Sequence, residues 1–154
     1  MNDVETGRAP SDENRKKIVN NKKKMTKKQH IEHWMETAEQ DWITVELLMN
    51  QKRFLHGLFW AHLVIEKLAK ALWIKQNETN IPPKTHNINW ILEQANANLD
   101  DEKMQFLLKF NKFQLSTRYP DYIENLYKTC TKTVADHQLK NIKTIRQCLL
   151  NKLP

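Results

Sequence analysis

Residues 54–74 read FLHGLFWAHLVIEKLAKALWI, and on a helix their apolar side chains point in almost every direction rather than along one stripe. A helix that is apolar on all sides is one wrapped by neighbours, so this stretch is expected to be the central helix of a bundle. Its few polar members are His56, His62, Glu66, Lys67 and Lys70. Each must lie against another helix, at a narrow solvent edge, or in a site. His62 and Glu66 are one turn apart, as are Glu66 and Lys70, and both spacings allow side-chain pairing. A buried polar cluster that satisfies itself is the simplest expectation. The same polar residues interrupt the apolar run and exclude a membrane span.

A chain of 154 residues fits one domain, long enough to bury roughly two thirds of the surface its unfolded form would expose. Its two glycines, Gly7 and Gly57, exclude a glycine-rich phosphate loop of either the P-loop or the dinucleotide-binding kind. They also argue against an all-β fold, whose hairpin turns need residues tolerant of positive φ. Abundant and periodic Leu, Lys, Gln, Glu and Ala place the chain in the all-α class. The net charge of +7 is unevenly placed, with nine Lys/Arg against four Asp/Glu in residues 1–28. The remainder is close to neutral, so net charge does not point to a nucleic-acid surface on the folded body. Cys130 and Cys148 are isolated, with no CxxC pair and no secretory signal ahead of them. That pattern predicts two free thiols in a reducing cytoplasm.

Residues 1–25 are polar and basic, including Arg15-Lys16-Lys17 and Lys22-Lys23-Lys24, and are expected to be a disordered extension. Residues 26–154 form the bundle. The first helix opens at Thr26, where Thr26-x-x-Gln29 has capping-box spacing, and runs to about Gln51. Gln51-Lys52-Arg53 is short enough to fold the central helix back antiparallel. Pro82-Pro83 places residues 77–84 in a loop. Thr85-His86-Asn87 then caps a third helix with Ile88, Trp90, Ile91, Leu92 and Ala95 inward. A fourth helix starts on the acidic Asp100, Asp101 and Glu102 and carries Met104, Phe106, Leu107, Leu108, Phe110 and Phe113 to about Leu115. Pro120 ends it, because the residue before a proline is disfavoured in the α region. Residues 122–127 fit a short helical turn. A fifth helix opens near Thr131 or Thr133, with Thr133-x-x-Asp136 a workable cap, and turns Ala135, Leu139, Ile142, Ile145, Leu149 and Leu153 inward. His30 and His33 are one turn apart but have no third ligand in register, so no metal and no cofactor are expected.

Four segments in this order resemble the HEPN family (higher eukaryotes and prokaryotes nucleotide-binding domain). They are the first helix, Ile65-Glu66-Lys67-Leu68-Ala69-Lys70-Ala71-Leu72, Lys84-Thr85-His86-Asn87-Ile88 and Arg118-Tyr119-Pro120-Asp121, and the resemblance covers residues 27–153. It implies an up-and-down bundle of about five helices, similar to the substrate-binding domains of nucleotidyltransferases and usually paired as a homodimer. Ribonuclease-type members, many of them toxins, carry an Arg followed four to six residues later by a His. Here Arg118 is followed by Tyr122, Ile123, Glu124 and Asn125, and the next histidine is His137. Without an imidazole there, nothing obvious can activate a ribose 2′-hydroxyl or protonate a leaving oxygen, so no catalytic residue is assigned. The other branch contains helical partners of small nucleotidyltransferases. The chain lacks a glycine-serine motif followed by paired aspartates and is not that transferase itself.

The resemblance implies a nucleotide or other phosphate-bearing ligand. Arg118 would hold phosphate with its planar fork, Lys67 and Lys70 would add charge, and Tyr119 would stack on a base. Asp121 would orient Arg118, with Glu66 nearby. The competing reading is an internal polar lock of Arg118, Asp121 and Glu66 that fixes a helix end. A degenerate ribonuclease toxin and a plain helical interaction scaffold are the alternative functions.

Overall fold

The computed structural model describes residues 24–116 and 120–154. Among them the chain is helical, without strands: α1 Lys27–Asn50, α2 Phe54–Gln76, α3 Ile88–Gln94, α4 Asp101–Phe110, α5 Lys112–Ser116, α6 Pro120–Thr129 and α7 Lys132–Leu150. The basic extension expected over residues 1–25 lies, up to residue 23, outside the described residues.

α1 begins where its capping box predicts. The Thr26 hydroxyl accepts from the Gln29 amide at 3.2 Å, and the Gln29 side chain accepts from the Thr26 amide at 2.9 Å, so two otherwise orphaned donors satisfy each other. Its other end closes with Lys52 N–H on the Met49 carbonyl and Arg53 N–H on the Leu48 carbonyl. This is the paired bonding of a helix end that turns through a left-handed residue, and Lys52 supplies it at φ 57°. The same bonds recur after α3, from Asn96 to Glu93 and from Ala97 to Leu92, with Asn96 at φ 47°.

α2 is the axis of the bundle. Leu58, Ala61, Val64, Ile65, Leu68, Ala69, Leu72 and Ile74 are all essentially inaccessible to solvent. α1 packs along it most extensively, and α7, α3 and α5 cover other sides. Near its start α2 lies close to α1: a β-carbon on Gly57 would fall 2.7 Å from the Met49 sulfur. α7 turns Ala135, Ile142, Ile145 and Leu149 into the core. Arg146 of α7 also stacks 4.8 Å from the Trp42 ring centroid and pairs with Glu39, tying α7 to α1.

Three expectations are corrected, and one, the choice between two starts for α7, is narrowed. The fourth helix does not run unbroken to Leu115 but is interrupted at Asn111, a weak helix former whose side chain is engaged with other segments. Residues 122–127 are more than a turn, because α6 starts on Pro120, where the missing N–H and fixed φ suit the first helical position. α7 is capped by Thr131, which accepts from the Val134 amide at 3.3 Å, not by Thr133. Trp90 is 42% exposed and not inward. The short α3 buries Ile88, Ile91 and Leu92, one face at three- and four-residue spacing, and Trp90 falls on the other side. Leu108, in the apolar run of α4, is likewise exposed while Leu107 and Phe110 are buried.

Candidate functional site

The polar residues of α2 meet partners from three other segments. Glu66 is buried, and one carboxylate oxygen accepts from the Lys70 ammonium at 2.7 Å while the other lies 3.0 Å from His86 Nδ1. Lys70 is also buried and stands 5.4 Å from the Trp34 ring centroid of α1. The cation therefore has both a carboxylate and an aromatic face to replace water. Removing one partner from a buried pair leaves a bare charge and typically costs about 3–5 kcal/mol, so Glu66 and Lys70 fix each other in place. Lys67, one residue along, reaches back to Asp41 of α1 at 2.5 Å.

His62, one turn before Glu66, is fully buried against Phe110, whose ring lies nearly parallel at 6.3 Å. Its Nε2 is 3.1 Å from Asn111 Oδ1. The direction of that bond follows from its neighbours. Asn89 donates to the Met104 carbonyl at 2.8 Å, so its own oxygen is left to accept from Asn111 at 3.2 Å. Asn111 then offers only its oxygen to His62, and the Nε2–H donates. His62 Nδ1 has no hydrogen bond among the described residues and lies 3.9 Å from the Glu66 carboxylate. Burial holds this imidazole below the usual histidine range, the Asn111 bond and the Glu66 charge acting against that shift. The neutral ring is the form this pocket favours.

The chemistry on view is that of a rigid polar seam. It ties α2 to the loop ahead of α3 through His86, to the α4–α5 junction through Asn111, and to α3 through Asn89. Among the described residues no group of three His, Cys, Asp or Glu side chains is arranged to hold a metal. Cys130 and Cys148 are both free, as expected, and burial raises the Cys130 thiol above its usual range.

Of the residues expected to contact a ligand, the structure therefore brings together Glu66 and Lys70 and places Lys67 beside them on the same helix, paired with Asp41. Arg118 and Tyr119 lie outside the described residues, as does the side chain of Asp121. The spacing of α2 revealed the Glu66–Lys70 pair. It did not reveal Asp41, His86, Asn89 or Asn111, which reach the seam from elsewhere in the chain. His86 and Asn87 had a capping signal and a place in one of the four resembling segments, and Asn87 fulfils the first by accepting from the Trp90 amide at 3.2 Å.

In a comparison against known families, residues 31–153 match the HEPN domain. That match spans most of the chain, and the protein belongs to the HEPN family. No curated protein and no solved structure matches it. No helix among the described residues is long and apolar enough to cross a membrane.

Proposed function

We propose that this HEPN protein binds a nucleotide or another phosphate-bearing ligand without cleaving RNA, as a homodimer, and serves as the substrate-binding partner of a small nucleotidyltransferase. The observation that carries the reading is the sequence after Arg118, where positions 122 to 125 hold Tyr, Ile, Glu and Asn. A guanidinium can hold an anion there, but no imidazole stands at the spacing where the ribonuclease branch has its proton-transfer group. Arg118 and Tyr119 are the ligand contacts in this proposal, and Asp121 orients the arginine. Lys67, partly exposed and held by Asp41, adds charge at the edge, whereas Lys70 is buried in its pair with Glu66 and contributes by fixing that carboxylate.

The dimer rests on aromatic surface that one small core does not enclose. Trp90 and Tyr127 are exposed, and Trp60 and Trp73 are only partly buried; such residues favour interfaces. Two measurements test the proposal. A nucleotide should raise the melting temperature of the wild type by more than that of Arg118→Ala, while RNA incubated with either stays intact. Arg118-dependent cleavage of RNA would replace this reading with the ribonuclease one. Light scattering should give twice the chain mass at micromolar concentration, and a monomer would remove the dimer.

A further inference from the structure

α4 and α7 both lie against the bundle, yet the seam between them is not among the extensive helix contacts. A cleft of about 590 Å3 remains there, within the roughly 300–1,000 Å3 range of small-molecule sites. Phe106 and the buried Ile145 line it, and the Phe106 ring is braced by Phe110 at 5.6 Å. Lys109 of α4, Lys112 of α5 and His137 of α7 converge on the same space. The charges there are unequally satisfied. Lys103 is taken by Asp100, which caps α4. Neither Lys109 nor Lys112 has a carboxylate partner among the described residues, and the Lys112 ammonium rests 5.2 Å from the Phe113 ring centroid. Glu102 is the one carboxylate among the described residues of the lining. The side-chain amides of Gln105 and Gln138 also line the cleft and make no hydrogen bond among the described residues.

We infer that this cleft is a binding site for a small phosphate-bearing ligand with a flat ring, separate from the Arg118 turn. Lys109 and Lys112 take the phosphate, Phe106 takes the ring face, and the glutamine amides read its edge. A ring on an aromatic face and an anion between two ammonium groups that lack a carboxylate partner among the described residues each add an interaction to the cleft. A single small ligand fits better than a nucleic-acid strand, because the body outside residues 1–28 is close to neutral and, within the described lining of the cleft, these two are the lysines without a carboxylate partner. The inference does not depend on the role given to Arg118.

Isothermal titration of the full chain with AMP at low salt tests it, with adenosine and ribose 5-phosphate as the two halves of the probe. AMP should bind saturably, and each half at least tenfold more weakly. In the Arg118→Ala background, which leaves this cleft intact, Lys109→Gln/Lys112→Gln should weaken AMP at least tenfold, and Phe106→Ala should remove the advantage of AMP over ribose 5-phosphate. Both lysines are exposed, so the double variant keeps the fold, which circular dichroism confirms. Arg118→Ala should bind AMP at this site unchanged. Absence of saturable AMP binding overturns the inference, as does equal affinity in the double lysine variant. Loss of all AMP binding in Arg118→Ala alone assigns the nucleotide to that turn and also overturns it.

Discussion

His62 shows how a single buried side chain makes this fold sensitive to acid. Its proton affinity is depressed in the folded state, mainly by burial, so the unfolded chain binds the proton more readily. Stability from this residue is fully present above the unfolded histidine value near 6.5 and is lost as pH falls from there toward the depressed folded value. The slope in that window is at most about 1.4 kcal/mol per pH unit. Urea unfolding at pH 7.0 and 5.5 should show the wild type losing more stability on acidification than His62→Gln, and equal losses would refute the account. At this scale the sequence was partly legible. Spacing of four residues revealed Glu66 beside Lys70, because both sit on one helix face. The bond from His62 to Asn111 joins residues 49 positions apart, and no local pattern encodes such a pair.

The helix ends are written in residues other than glycine. Thr26, Asn87, Asp100 and Thr131 each accept a backbone N–H at the start of a helix; the starts at Thr26 and Asn87 were readable because such side chains favour that position, and the one at Asp100 because acidic residues suit a helix N-terminus. Thr131 and Thr133 could not be separated by spacing alone, since both precede the same apolar repeat. The C-terminal ends were harder to read. Lys52 occupies the left-handed region at φ 57°, where a β-carbon costs about 1–2 kcal/mol. Lys52→Gly should therefore stabilise the protein by about 1 kcal/mol in urea unfolding, once the added freedom of glycine in the unfolded chain is set against the relieved strain. A loss of stability would mean that the lysine stem contributes more than its backbone strain costs. The interruption at Asn111 had no sequence signal beyond a weak helix former inside an apolar repeat. What breaks the helix is the tertiary use of that side chain.

Over the whole molecule, the apolar run of residues 54–74 correctly announced a helix wrapped by others. The HEPN resemblance depended on four segments in order, and the family match over residues 31–153 takes in the last three and all but the opening turn of the first. The α4–α7 cleft was illegible, because it is defined by two helices that fail to close on each other. The arrangement around α2 also has a consequence for synthesis. α1 precedes α2 and can dock at once through a three-residue link, but α7 begins 56 residues after α2 ends. At about 5–20 residues per second a ribosome needs roughly 3–11 s to deliver it. During that interval one side of the most apolar helix stands open to water and to other nascent chains. Chains arrested just before Lys132 should be cut by protease within α2, and chains arrested well beyond α7 should resist; equal resistance would show that α1 alone shields the helix at birth.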